Sequence, residues 1–322
     1  MSQRKSSTRE VYTSREGERE PPPAAPPAHA SRRRALLAWT LVAAAGLSHP
    51  GVARAEELIR VRVSERPDVV EELRLEDYVA GVVSGEMPSR FPPEAQKAQA
   101  VAARSYALTR KIEAQAANRR FDIGTGVLAQ VFARGAPSAP ARAAADATRG
   151  EVLALGMEPV EAYFHAACGG ATEEGLPALG RDLPYLASVA CDRCRSAPGA
   201  RWSARVAAEP LGRTAGLGAA ATAARIVSRT GSGRVERVEI AAGSRKATLL
   251  ATDLRQRLGY ERLPSLAFEV REEPGGFVFE GRGRGHGAGL CQWGAAALAR
   301  EGKGYKEILL HYYPGTEILR MY

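Results

Sequence analysis

Apolar and basic residues alternate through Leu58-Ile59-Arg60-Val61-Arg62-Val63, the period of a strand with one buried face. Leu73-Arg74-Leu75 reads as a second short strand, and residues 77–83 as a short helix ending at Ser84-Gly85. From Glu94 the period changes. Ala95, Ala98, Val101 or Ala102, Ser105 and Leu108 form one helical stripe, and Pro92-Pro93 stands where a helix begins, so residues 92–110 are predicted helical. Because the stripe is built of small residues, this helix is expected to lie close against neighbours at the centre of the fold. Arg104 is the long cation in that apolar stretch, and a buried arginine needs an anion. The anion is a structural carboxylate, the neighbourhood of Glu86, or a ligand.

Further along, residues 121–132 mix turn formers with apolar residues and read as loop then strand. Residues 141–148 are helix-like and closed by Gly150, residues 151–155 are a strand, and residues 160–165 are another, leading into Cys168-Gly169-Gly170. After Arg201 strands follow at 202–206, 225–229 and 235–241, the last two joined by the hairpin turn Gly231-Ser232-Gly233. A helix carrying Leu254 and Leu258 ends at Gly259, and a second hairpin turns at Pro274-Gly275-Gly276. The mixture gives an α+β class: a single large mixed domain with a substrate cleft over residues 56–322, and a smaller, mostly β inserted lobe at 201–280.

The N-terminal stretch has a different texture. Residues 1–31 are polar and Pro-rich, with too few apolar side chains to offset chain entropy, and read as a disordered extension. Arg32-Arg33-Arg34, an apolar run from Ala35 to Leu47, and Ala53-Arg54-Ala55 match the charged, apolar and small-residue parts of an export signal at 32–55. As a helix the run would reach only about 20 Å against a bilayer core of about 30 Å, which predicts a removed signal and no stable membrane span. The expected location is therefore the periplasm or cell envelope. Ser31-Arg32-Arg33-Arg34-Ala35-Leu36 also has the look of a twin-arginine signal, which suits a protein folded around a metal before export.

Net charge narrows the function classes. The formal charge is +9, but residues 1–55 hold nine Lys or Arg against four Glu, which leaves 36 basic and 32 acidic residues beyond them. No basic run interleaved with aromatics survives there, so no nucleic-acid partner is expected. A mildly cationic exported protein suits an anionic envelope polymer.

Two segments carry candidate chemistry. Glu86 sits between Gly85 and Met87-Pro88, where one element must stop, so its carboxylate is expected on a loop, where working groups are displayed. Its bland alternative is an ordinary exposed glutamate. In Gly281-Arg282-Gly283-Arg284-Gly285-His286-Gly287-Ala288-Gly289-Leu290-Cys291-Gln292-Trp293-Gly294 the alternating glycines let backbone amides approach a ligand, just ahead of a helix N-terminus. Gly283-x-Gly285-x-x-Ala288 fits a loose dinucleotide fingerprint, but only 39 residues follow Gly283, too few for the paired strand units that fold needs. His286, flanked by glycines, is a candidate ligand contact.

The cysteines suggest a metal. His165-x-x-Cys168 is followed 23 residues later by Cys191-Asp192-Arg193-Cys194, a spacing that fits a tetrahedral, structural zinc site of one nitrogen and three sulfurs. In an oxidising compartment Cys168 could instead bridge Cys191 or Cys194. A catalytic zinc hydrolase would need one ligand to be water. Cys291 reads as a small buried apolar residue at the start of its helix.

Taken together, Glu76-Asp77-Tyr78-Val79-Ala80-Gly81-Val82-Val83-Ser84-Gly85-Glu86-Met87-Pro88, Gln96-Lys97-Ala98-Gln99-Ala100-Val101-Ala102-Ala103-Arg104-Ser105-Tyr106, Cys168-Gly169-Gly170-Ala171-Thr172 and the segment from Gly283 to Ala295 resemble the stage II sporulation protein D and LytB family. The resemblance covers roughly residues 58–319. Arg284 stands where that family usually has an aromatic, and Leu290-Cys291-Gln292-Trp293 where it usually has Met-Ser-Gln-Tyr. The resemblance implies a lytic transglycosylase acting on peptide-stripped peptidoglycan strands, with the family glutamate at Glu86 and no organic cofactor. It equally implies the alternative of a non-catalytic, glycan-binding enhancer of a cell-wall amidase. A lytic transglycosylase can work with one carboxyl group, because the sugar's own 6-hydroxyl attacks the anomeric carbon. Ordinary glycosidases hold two carboxylates about 5–10 Å apart. Glu86 must then be protonated at the first step, which calls for a poorly solvated position; Arg104 nearby would oppose this and is assigned to substrate or another anion. Gln130, His286 and Gln292 are candidate groove contacts, or else hydrogen-bond partners holding two glycine-rich loops together.

Overall fold

The computed structural model describes residues 56–65, 68–124, 130, 132 and 135–322. The N-terminal extension, the export signal and most of the expected strand near 127–132 lie outside the described residues.

Strands β1 (Leu58–Glu65) and β2 (Asp68–Arg74) pair antiparallel, Leu58 opposite Arg74, and bury Ile59 and Val61. Helix α1 (Leu75–Glu86) follows without a loop. It runs past Ser84-Gly85, so Glu86 is the last helical residue rather than a loop residue as expected. The stop comes at Met87, extended at φ −121° and ψ 138°, because the Pro88 ring disfavours helical backbone at the residue before it. Helix α2 (Pro93–Ala116) is longer than its stripe suggested and packs against α1; Ala95, Ala98, Ala102 and Ala103 are fully buried. Alanines on its faces let the flanking backbones come near from several sides.

Helix α3 (Ala139–Ala147) leads into β3 (Glu151–Leu155), which pairs with β4 (Glu158–Pro159) on one side and with the C-terminal strand on the other. The expected strand at 160–165 shrinks to β5 (Phe164–His165), since the chain turns where the Tyr163 N–H bonds the Glu161 carbonyl at 3.0 Å. Then come β6 (Gly170–Ala171), α4 (Gly175–Leu179), β7 (Ala190–Cys191) and a 3-10 turn over Asp192–Ser196.

From residue 201 the chain builds β8 (Arg201–Ala207), α5 (Ala208–Thr214), β9 (Ala223–Arg229), β10 (Val235–Ala242), β11 (Arg245–Leu250), α6 (Ala251–Leu258), β12 (Phe268–Glu273) and β13 (Gly276–Arg282). Two antiparallel three-stranded sheets result, ordered β11-β10-β9 and β12-β13-β8. They enclose a hydrophobic cluster whose buried members come from residues 206–279, Leu254, Ile240 and Phe279 fully buried among them, with Trp202 packed against it. The other cluster takes its side chains from residues 59–200 and 288–322. The chain returns to it through β14 (Leu290–Cys291), α7 (Gln292–Arg300), α8 (Tyr305–Tyr312) and β15 (Glu317–Arg320). The protein is α+β, and among the described residues no helix is long and apolar enough to cross a membrane.

Candidate functional site

Glu86 meets the C-terminal glycine-rich segment. The Gln292 side-chain amide donates to Glu86 Oε2 at 3.1 Å and to Gln99 Oε1 at 3.3 Å, linking the end of α1, the second turn of α2 and the first residue of α7. Glu86 is half-buried, Gln292 and Gln99 are buried, and Gln99 Nε2 has no hydrogen-bond partner among the described residues. A buried amide with a spare donor is costly unless something else accepts from it. The loop after Glu86 is held from below by Gln96, whose amide donates to the Ser89 and Phe91 carbonyls. Beside it, half-exposed Trp293 meets Phe91 edge to face at 4.9 Å. Gln99 and this aromatic pair were not singled out from the sequence. The available signal was a second glutamine inside an alanine-rich helix, three residues after Gln96.

Away from this carboxylate, a cavity of about 540 Å³ opens between Trp202, Arg229, Phe268 and Arg282, and one of about 160 Å³ over Arg74, Asp77 and Arg142; neither is lined by Glu86.

Several expected contacts are corrected. Arg104 is fully buried and forms a two-point pair with Glu76, Nη2 to Oε2 at 2.6 Å and Nε to Oε1 at 2.9 Å, with its other three donors on the Glu151 and Ala145 carbonyls and the Thr148 hydroxyl. Its anion is thus a structural carboxylate, and no donor is left for a substrate. Burial alone would raise the Glu76 carboxyl, but Arg104, Tyr322 and the Gly150 N–H together hold it below the ordinary carboxylate value. Gln130 is also turned inward: it accepts from the Tyr78 hydroxyl at 2.9 Å and donates to the Ala103 carbonyl at 3.3 Å.

His286 is clamped at both ring nitrogens. Nδ1 accepts from the Ala288 N–H at 3.1 Å, so Nε2 carries the proton and donates to the Phe164 carbonyl at 2.8 Å. It holds the glycine-rich segment to β5 instead of reaching for a ligand. The glycines serve the same approach, against protein and not ligand. A Cβ on Gly289 would fall 2.0 Å from the Tyr163 carbonyl oxygen, and one on Gly287 would fall 2.7 Å from the Arg234 guanidinium. β14 pairs parallel with β5, Leu290 opposite Phe164 and Cys291 opposite His165, which carries Gln292 to Glu86. Arg234, buried, donates to the Cys168 and Ala171 carbonyls and ties the 201–282 segment to the same loops.

The expected grouping of His165 with three cysteines is corrected as well. Cys168, Cys191, Cys194 and Cys291 are all buried, with sulfurs within 4.8 Å of one another, so the residue clustered with the three expected cysteines is Cys291 and not His165. His165 Nδ1 instead donates to the Ala288 carbonyl at 3.1 Å. Cys291 is therefore more than a small apolar filler. Cys168 Sγ lies 3.2 Å from the Cys191 carbonyl oxygen and 3.4 Å from Cys194 Sγ. Hydrogen bonds from Cys168, Cys191 and Cys291 hold the Cys194 thiol below its ordinary value, against burial.

A helix-end carboxylate, two linked amides and a glycine-rich segment docked by a histidine clamp define an α+β protein whose distant motifs converge on one glutamate. Residues 64–155 match the family described as stage II sporulation protein, and residues 212–289 match a domain of unknown function. The chain is 32% identical to stage II sporulation protein D of Bacillus subtilis over 265 residues, covering 77% of this chain and 75% of that protein. It is 33% identical to an uncharacterized protein of Brachyspira hyodysenteriae, covering 85% of this chain and 74% of that protein. An amidase enhancer of Bacillus subtilis is 26% identical, covering 74% of this chain and 40% of that protein. The chain belongs to the stage II sporulation protein D family.

Proposed function

We propose that this protein is an exported lytic transglycosylase that cleaves peptidoglycan glycan strands at the cell envelope, with Glu86 as its one acid and base. The observation that carries the reading is the Gln292-to-Glu86 hydrogen bond, which joins motifs 206 residues apart at one carboxylate. In the reaction the protonated Glu86 gives its proton to the glycosidic oxygen as the bond to the anomeric carbon breaks. The carboxylate then takes the proton of the sugar's 6-hydroxyl as that oxygen attacks the same carbon. An anhydro sugar end forms, no water is consumed, and Glu86 is again protonated. Gln292 orients the carboxyl group, Gln99 Oε1 accepts from the same Gln292 amide and holds it in place, and Trp293 offers a face for a sugar ring.

Purified protein given peptide-stripped sacculi should release anhydro-ended products by mass analysis, and Glu86→Gln should lower that rate by about 100-fold or more. Normal release by Glu86→Gln would overturn the assignment. Gln292→Ala should cost about ten- to a hundredfold in kcat, the worth of one hydrogen bond to a charged group, with a smaller change in KM.

The second reading, a non-catalytic glycan-binding partner of a cell-wall amidase, draws on the similarity to the amidase enhancer. It predicts that Glu86→Gln protein still binds glycan and still stimulates an amidase. The zinc-hydrolase reading is disfavoured, because four sulfur ligands fill a tetrahedral ion and leave no position for water.

A further inference from the structure

The four sulfurs come from three stretches that are remote in sequence: Cys168 before Gly169-Gly170, the pair Cys191 and Cys194 around the 3-10 turn, and Cys291 directly before Gln292. Each cysteine is 1% exposed or less. We propose that these four thiolates bind one zinc ion as a closed structural site, and that the ion clasps the start of α7 so that Gln292 stays against Glu86. The second half rests on the proposed role of Glu86; the first does not.

Three observations favour a metal over a chance meeting of small apolar side chains. The mutual distances, all under 4.8 Å, are close to the edges of a tetrahedron of sulfurs about 2.3 Å from a zinc ion, which measure about 3.8 Å. Three sulfurs each have a donor other than the four thiols themselves, as buried thiolates require. The Cys168 N–H points at Cys291 Sγ at 3.3 Å, the Gly169 N–H at Cys194 Sγ at 3.3 Å, and the Tyr312 hydroxyl lies 3.1 Å from Cys191 Sγ. The backbone has also been cleared for the cluster: a Cβ on Gly294, in the first turn of α7, would sit 2.6 Å from Cys191 Sγ and 2.1 Å from the Tyr312 hydroxyl.

The donor chemistry selects the ion. Four thiolates suit zinc or iron and disfavour magnesium, calcium and manganese, and a set with no open position suits a structural ion. Binding would release the remaining thiol protons and neutralise part of the buried negative charge. It would also fix Cys291, and therefore the adjoining Gln292, to the loop after β5, to β7 and to the 3-10 turn that follows it.

The full chain, purified without chelator, should carry one zinc per chain by elemental analysis. Its four thiols should be unreactive in the native state and all react once chelator is added. Cys291→Ser should lose stoichiometric zinc, His165→Gln and Glu86→Gln should keep it, and the milder Tyr312→Phe should weaken zinc affinity by about 10- to 100-fold. Should Cys291→Ser fail to fold, metal count and thiol protection on the unaltered chain still decide. Stoichiometric iron in place of zinc, a mass lower by two hydrogens per cysteine pair, or zinc lost from His165→Gln and kept by Cys291→Ser would each overturn the site. For the clasp, zinc removal from the wild-type protein should speed amide hydrogen exchange in the first turn of α7, and restoring zinc should reverse it. Unchanged exchange there would overturn that half alone. A zinc-loaded protein with no glycan-cleaving activity would count against the proposed function and leave the site standing.

Discussion

Arg104 is held by Glu76 through two charge-assisted hydrogen bonds in a place without solvent, so the fold depends on both members being present. Arg104→Ala should cost about 3–5 kcal/mol, since it strands a buried carboxylate; the double change Arg104→Met with Glu76→Leu should recover a large part of that. Urea denaturation midpoints of the three proteins check this. A single change costing under about 1 kcal/mol would mean that water reaches the pair. His286 gives a pH dependence of definite sign. Burial, opposed by its bond to the Phe164 carbonyl, pushes the folded ring down to about 4, against about 6.5 for an unfolded histidine. Between those values the unfolded chain binds a proton that the folded chain does not. The contribution is therefore whole above about pH 6.5 and is lost as pH falls toward 4. His286→Gln should flatten the stability profile across that window in urea titrations. An unchanged slope would place the ring in a well-solvated setting.

At the scale of elements, α2 is the strut on which the site is built. Ser105 Oγ donates to the Val101 carbonyl at 2.6 Å and accepts from the Leu153 N–H at 2.8 Å, so one hydroxyl joins α2 to the middle of β3. Ser105→Ala leaves that N–H buried without its acceptor and should cost about 1–3 kcal/mol, measured by thermal unfolding. Loss of less than about 0.5 kcal/mol would indicate that another acceptor takes over. The stripe of small residues made this helix and its buried setting legible in advance. The end of α1 was not, because Ser84-Gly85 reads as a stop, whereas the helix runs through both to Glu86 and ends only where Met87, the residue before proline, turns extended.

For the whole molecule, two hydrophobic clusters share one chain, and the buried members of the second come from residues 206–279. Phe279→Ala, at a fully buried position of that cluster, should cost about 3–5 kcal/mol locally. Hydrogen exchange should then rise in β8–β13 while amides of α2 keep their protection. Equal loss in both regions would mean that the clusters unfold as one unit. Arg234 and the histidine-clamped glycine segment are where the two regions meet.

The sequence by itself determined most elements, the α+β class, the candidate glutamate and the fact that a cation was buried in α2. These follow from local periods, proline and glycine chemistry, and the cost of an unpaired charge. Only the tertiary structure decided what each polar group faces. It gave Arg104 to Glu76, turned Gln130 inward, spent both nitrogens of His286 on backbone, and brought Cys291 to thiols whose nearest member in the chain lies 97 residues away. The physical reason is that a side chain's type fixes which bonds it can make. Which partner arrives within 3 or 4 Å depends on how remote segments pack, and no local pattern encodes that distance.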